Sequence, residues 1–75
     1  MITGAQIRAA RTFLGWTARA LAKKADIPEH SLERIEGNGT ITAKDQNALQ
    51  ALQRVLEEGG IEFIETYGVQ RRADK

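Results

Sequence analysis

The stretch that decides the fold is residues 17–37, with the sequence TARALAKKADIPEHSLERIEG. Its first half places Leu21 and Ala22 on one side of a helix, with Ala25 one turn further on. Its second half places Leu32 and Ile35 three residues apart, which is also helical spacing. We therefore expect two short helices, each with one apolar side facing a common core.

The tripeptide Asp26-Ile27-Pro28 separates these two helices. Proline fits the first turn of a helix but not its interior, and it biases the residue before it towards extended dihedrals. One helix therefore ends near Ala25 and the next begins near Pro28, with Ile27 directed into the core. Ala22 is small enough to lie where two steeply crossing helices come closest. This layout is typical of a helix-turn-helix, whose second helix lies in the major groove of DNA.

Motifs on either side of the turn resemble those of one family. They are QIRAAR at 6–11, LGWT at 14–17, LA at 21–22 and IEG at 35–37. Over about residues 2–56 the chain resembles the Xre/Cro-like family, which has the DNA-binding fold of phage lambda repressor. The resemblance implies a single, mainly α-helical domain over residues 1–75: four helices with a helix-turn-helix at 17–37, plus a short C-terminal β extension at 61–72.

Two positions depart from the usual family pattern. Asp26 stands where the family usually has a glycine in the turn. Aspartate enters the left-handed region more easily than most residues with a side chain, so the turn is retained at some cost. Pro28 stands where the family often has a serine or threonine, so the second helix begins without a side-chain acceptor.

Composition limits the class of protein. The chain has 75 residues and no cysteine, so we expect one small domain with neither a disulfide nor a thiolate metal site. It has no apolar run of membrane-spanning length and no signal-peptide layout, which predicts a protein of the bacterial cytoplasm or nucleoid with no membrane partner. The net charge of +1 is no nucleic-acid signature by itself. Its distribution is more informative, because residues 1–27 are basic and residues 28–37 are acidic.

Two more helices are expected outside the central stretch. The first begins at Thr3, which forms a capping box with Gln6, and ends at Gly15. The other is the longest; it begins at Thr42 and ends at residues 59–60. Its apolar stripe is too short for a coiled-coil seam, so we expect it to pack against the helix-turn-helix.

The sequence period changes after residue 60. Residues 61–65, IEFIE, are rich in β-forming residues and begin by alternating, and residues 69–72 are a candidate return strand. The loop between them is unusually short for a hairpin of this family. Because a strand carrying Ile61, Phe63 and Ile64 is too apolar for a free edge, we expect it to pair with the same strand of a second chain and form a homodimer.

No catalytic or metal-binding constellation is visible. His30 is the only histidine, and the adjacent Ser31 points about 100° away from it around a helix. The carboxylates Glu29, Glu33 and Glu36 share part of one helix, where they form a solvated or reading face rather than an acid–base pair. We expect no enzyme activity, no metal and no cofactor.

The resemblance, together with the docking geometry of a helix-turn-helix, gives candidate DNA contacts. A helix in the major groove presents its N-terminal turn to base edges. The base-reading candidates are Glu29, His30, Glu33 and Arg34, with Glu29 favouring cytosine and Arg34 guanine. The candidates for contact with the DNA backbone are Thr17, Arg19, Ser31, Asn38 and Lys44. For the basic residues among them, the alternative is a solvated face with no partner.

The resemblance also pairs two residues structurally. Arg11 and Glu36 stand where the family often joins its first helix to the end of its third. The alternative is two unrelated surface charges.

Two functions follow from these observations. The first is a sequence-specific, double-stranded-DNA-binding transcriptional regulator that binds a palindromic operator as a homodimer. The alternative is an antitoxin-like or phage accessory protein whose main role is to bind a protein partner. The acidity of the presumed reading helix favours the alternative, because carboxylates near phosphate weaken DNA binding.

Overall fold

The computed structural model describes residues 2–37, 43–64 and 68–71. Within these ranges the helices are α1 (Gly4–Leu14), α2 (Ala18–Ala25), α3 (Glu29–Glu36) and α4 (Gln46–Glu58). They are followed by strands β1 (Ile61–Ile64) and β2 (Gly68–Arg71), which pair antiparallel. The prediction of a mainly helical chain with a small β element at its C-terminal end is confirmed.

Helix α1 begins and ends at the residues predicted from the sequence. The Thr3 hydroxyl accepts the Gln6 backbone N–H at 3.2 Å, and the Gln6 side chain accepts the Thr3 N–H at 2.8 Å. At the other end Gly15 has a φ of 75°, a left-handed conformation that favours glycine. Local sequence signals therefore define both ends of this helix.

The turn between α2 and α3 also follows its sequence signals. Thr17 caps α2 through its hydroxyl, and Asp26 ends α2 in the left-handed region, with φ 59° and ψ 46°. The backbone N–H of Ile27 donates to the Ala22 carbonyl at 3.0 Å, which closes the turn. Pro28 precedes α3 and makes no side-chain capping bond, as the sequence indicates.

Helix α4 begins later than predicted. Thr42, the expected cap, lies outside the described residues. A short 3₁₀ turn, Ala43–Asp45, leads into α4 at Gln46. Asp45 makes no side-chain capping bond to α4, because its carboxylate binds another partner, described below.

One apolar core is built by the four helices and β1, and Val69 of β2 packs against it. Its buried members include Ile7 and Ala10 of α1, Leu21 and Ala22 of α2, Leu32 and Ile35 of α3, Leu49, Leu52 and Leu56 of α4, and Ile61 of β1. Helix α1 approaches the end of α3 closely, since a Cβ on Gly4 would lie 1.8 Å from the Ile35 carbonyl oxygen. The core therefore holds α3 from one side along its length.

The C-terminal strands form a hairpin within the chain. Phe63 pairs with Val69 and Ile61 with Arg71, and the hairpin contacts α1 and α4. Ile61 is only 1% exposed, because it faces the core between these helices. The Ile61 side chain therefore packs within the chain itself, whereas pairing of the β1 edge with a second chain stays a prediction.

Strand alternation separates the two faces of the hairpin. Phe63 shares the core face with Ile61 and is half-buried there. Ile64 lies on the opposite face, with Glu62 and Gln70, and is half-buried as well. Ile64 is therefore the one of the three apolar residues that the hairpin turns away from the core.

Candidate nucleic-acid interface

Helix α3 exposes the four residues predicted to read bases. Glu29, His30, Glu33 and Arg34 are all exposed, whereas Leu32 and Ile35 are buried. Positions three and four apart share one side of a helix, so His30 and Arg34 are neighbours, as are Glu29 and Glu33. The structure thus brings the predicted reading residues together on the outer side of α3.

The predicted DNA-backbone contacts are only partly described. Thr17 and Arg19 are exposed at the start of α2, where the Thr17 hydroxyl accepts the Ala20 N–H at 3.0 Å. Ser31 is half-buried in the first turn of α3. Asn38 lies outside the described residues, and so does the side chain of Lys44.

Arg11 and Glu36 are joined by two parallel hydrogen bonds. Arg11 donates from Nε to Oε2 of Glu36 at 2.9 Å and from Nη2 to Oε1 at 3.0 Å. A third bond runs from Nη1 to the Trp16 carbonyl at 3.1 Å. The hydrogen bond with Glu36 raises the pKa of Arg11 against the opposing effect of burial, with a smaller raising effect from the charge of Glu36. The pair ties α1 to the last residue of α3.

A second pair, Arg34 with Asp45, was not predicted from the sequence. Arg34 donates from Nη1 to Oδ2 of Asp45 at 2.8 Å and from Nη2 to Oδ1 at 2.6 Å. The Asp45 side chain is 4% exposed and that of Arg34 is 49% exposed. The hydrogen bond with Asp45, and then its charge, raise the pKa of Arg34. The sequence shows both residues but gives no signal that the start of α4 lies against α3.

These two pairs leave the outer side of α3 acidic. Glu36 and Arg34 each have a partner of opposite charge. Glu29 and Glu33 form no ion pair within the ranges that the structure describes. On α2, Arg19 is exposed without an ion pair to any described residue, and the Nζ of Lys24 lies 4.9 Å from the centre of the Trp16 ring. Exposed cations therefore lie on α2, and uncompensated carboxylates lie on α3.

The described residues contain no group of three or more histidine, cysteine or acidic side chains placed to hold a metal ion. None of the helices in that part of the chain has the length and apolar character needed to cross a membrane.

No protein-family model, no curated protein and no solved structure matches this chain. Its function is therefore inferred from the residues that α3 exposes and from the groups that hold α3 in place.

Proposed function

We propose that this chain is a sequence-specific, double-stranded-DNA-binding transcriptional regulator with the lambda repressor-like fold. The observation that carries the proposal is the presentation of α3. Its inner side is anchored by Leu32 and Ile35, its end is tied by Glu36, and its first turn is exposed. A helix fixed from behind with an exposed N-terminal turn is what major-groove recognition requires.

The position of α2 supports the same proposal. In a helix-turn-helix the first helix crosses the DNA backbone while the second enters the groove. Thr17 caps α2 and Arg19 lies in its first turn, and both are exposed. An exposed arginine at that place is suited to a phosphate contact, which adds affinity for every sequence alike.

A homodimer on a palindromic operator completes the proposal, because two-fold symmetry in the protein is matched by symmetry in the half-sites. The described sheet has only two strands, so each strand has one edge without a strand partner in that part of the chain. Pairing of such an edge with a second copy, assisted by the outward Ile64, gives an isologous contact. The buried side chain of Ile61 takes no part in it.

The proposal is tested by selecting bound duplexes from a random pool with the full chain. We expect one enriched motif, and a steep fall in affinity for any duplex as salt rises. Replacing Glu29, His30 and Arg34 together with alanine should change the motif, whereas the control Arg54→Ala, on the exposed side of α4, should not. If the triple variant selects the same motif as the wild type, α3 is not the reading helix.

The second candidate function is binding to a protein partner, as an antitoxin-like or phage accessory protein. The observation that favours it is the pair of uncompensated carboxylates, Glu29 and Glu33, on the outer side of α3. These charges oppose phosphate but suit a basic protein surface. Absence of duplex binding at low salt, with retained helical circular dichroism, would favour this second function over the first.

A further inference from the structure

The two arginine–carboxylate pairs use different edges of the guanidinium group. Arg11 gives its Nε and Nη2 donors to Glu36 and its Nη1 donor to Trp16. Arg34 instead gives its two terminal nitrogens, Nη1 and Nη2, to Asp45. A guanidinium carries five N–H donors in a fixed plane, so Arg34 keeps the edge formed by Nε–H and the second Nη2–H. Nothing in the described ranges accepts a hydrogen bond from the Nε of Arg34.

The Asp45 side of this pair is buried and the Arg34 side is accessible. Asp45 is almost fully buried, whereas about half of the Arg34 side chain is exposed. Two bonds to one carboxylate fix the plane of the guanidinium as well as its position. An arginine fixed in this way loses less rotational freedom when it binds a ligand than an arginine that moves freely in solvent.

We propose that Asp45 is a positioning residue that presents the Nε–Nη2 edge of Arg34 to a group with two adjacent hydrogen-bond acceptors. In DNA this chemistry has two sources, which are O6 and N7 of guanine and two oxygens of one phosphodiester group. The inference rests on the proposed function, since it names the ligand chemistry of the same α3 surface. It adds a residue, Asp45, that lies outside α3 and touches no base itself.

Charge and geometry make separate contributions here. The carboxylate of Asp45 offsets the positive charge of Arg34, so the pair adds little to the attraction between protein and DNA at long range. The direction of the remaining N–H donors is unaffected by that offset. With guanine as the ligand, the pair is therefore suited to selecting a site; with a phosphate, it is suited to fixing the position of α3 on the duplex.

The first experiment alters the DNA and leaves the protein intact, so protein folding does not limit it. Each guanine of the selected operator is replaced in turn by 7-deazaguanine, which lacks the N7 acceptor, and each phosphate by a methylphosphonate. Each replacement removes one of the two acceptors of a bidentate contact, so we expect one of them to weaken wild-type binding by up to the roughly 5- to 150-fold that a whole contact contributes. If the sensitive replacement is a 7-deazaguanine, the ligand of Arg34 is the base. If it is a methylphosphonate, the ligand is the DNA backbone.

The second experiment assigns that contact to the two residues. The DNA replacement that weakens wild-type binding should not weaken binding by Arg34→Ala any further. It should weaken binding by Arg34→Lys only a little, because lysine has no bidentate edge. In Asp45→Asn the loss of affinity caused by the same DNA replacement should be smaller than in the wild type. In the control Arg54→Ala it should be unchanged. Circular dichroism melts confirm that each variant is folded at the assay temperature.

The outcomes separate this inference from the proposed function. If the wild type binds duplexes but Asp45→Asn keeps the full penalty at that position, the positioning role is overturned and DNA binding stands. If every DNA replacement causes the same loss of affinity in the wild type and in Arg34→Ala, the role of Arg34 is overturned as well. Failure of the folded wild type to bind any duplex at low salt overturns both the inference and the function.

Discussion

Glu36, the last residue of α3, receives two N–H donors from Arg11 of α1, at 2.9 and 3.0 Å. The side chains are 18% and 9% exposed for Arg11 and Glu36, respectively, so most of each charge is shielded from water. Neither charge has another described ion-pair partner. Removing one therefore leaves the other buried and uncompensated.

We predict that Arg11→Met lowers the free energy of unfolding by about 3 kcal/mol, because it leaves Glu36 unpaired. The double variant Arg11→Met, Glu36→Leu should recover most of this loss, since it leaves no unpaired charge. Urea unfolding measures both. Equal losses in the single and double variants would show that the packing of Arg11 matters and its charge does not.

The same pair sets a dependence on pH. The pKa of Arg11 is raised in the folded chain. The stabilisation that Arg11 contributes is therefore complete at any pH below the ordinary pKa of arginine, and it is lost only as the pH rises through the raised pKa. We therefore expect no loss of stability from the arginine between pH 7 and 10. Parallel urea titrations of the wild type and the Arg11→Met, Glu36→Leu variant across that range should show a constant difference.

Gly4→Ala tests the close approach of α1 to α3. A Cβ at this position would lie 1.8 Å from a backbone oxygen, that of Ile35, so backbone rather than a flexible side chain has to move. We expect a loss of about 3 kcal/mol, at the upper end for overpacking. Thr12→Ala, an exposed substitution on the same helix, should change stability little. A Gly4→Ala protein as stable as the wild type would contradict this packing.

Asp26→Gly should stabilise the chain. Asp26 has φ 59°, a conformation that is strained for residues with a side chain. Glycine removes the strain but adds freedom to the unfolded chain, so we expect a gain of about 0.5 kcal/mol, whereas Asp26→Ala should cost about 1 kcal/mol. Thermal denaturation gives the order of stability of the wild type and the two variants. An alanine variant as stable as the glycine variant would disprove the explanation by backbone strain.

Substitutions of Ile61 and Ile64 should differ in their effects on stability and on dimerisation. Ile61→Ala creates a cavity in the core and should cost about 2–5 kcal/mol in stability. Ile64→Ser, on the outward face of the hairpin, should cost less than about 1 kcal/mol and shift sedimentation of the full chain from dimer to monomer. A wild-type chain that sediments as a monomer at micromolar concentration would rule out the homodimer.

Arg19→Ala should weaken binding to every duplex alike. It removes an exposed charge at the start of α2, so the slope of affinity against salt should fall by about one unit while the selected motif stays the same. The control is Arg54→Ala, which removes the same charge from α4. A changed motif in Arg19→Ala would place Arg19 among the base-reading residues instead.

The features predicted correctly from the sequence depend on neighbours within about one helical turn. Thr3 with Gln6, Gly15 and Asp26 set helix ends through local dihedrals and hydrogen bonds, which the sequence order itself brings together. The exposure of His30 likewise followed from the spacing of the buried residues around it.

The features that were missed depend on elements brought together from distant parts of the chain. Arg34 and Asp45 meet only because the start of α4 packs near α3. The apolar alternation at Ile61 predicts a buried face but does not say whether the chain's own helices or a second chain cover it. Here the helices cover Ile61, and this distinction requires the tertiary structure.

The Gln6 side chain has a consequence for the order of folding. Its oxygen caps the first turn of α1, while its Nε2 donates to the Gly68 carbonyl at 2.9 Å, 62 residues later. At ribosomal rates of about 5–20 residues per second, Gly68 is synthesised roughly 3–12 s after Gln6. During that interval the amide has no hairpin to bind, so α1 can form early, but the burial of its cap is among the last steps of folding.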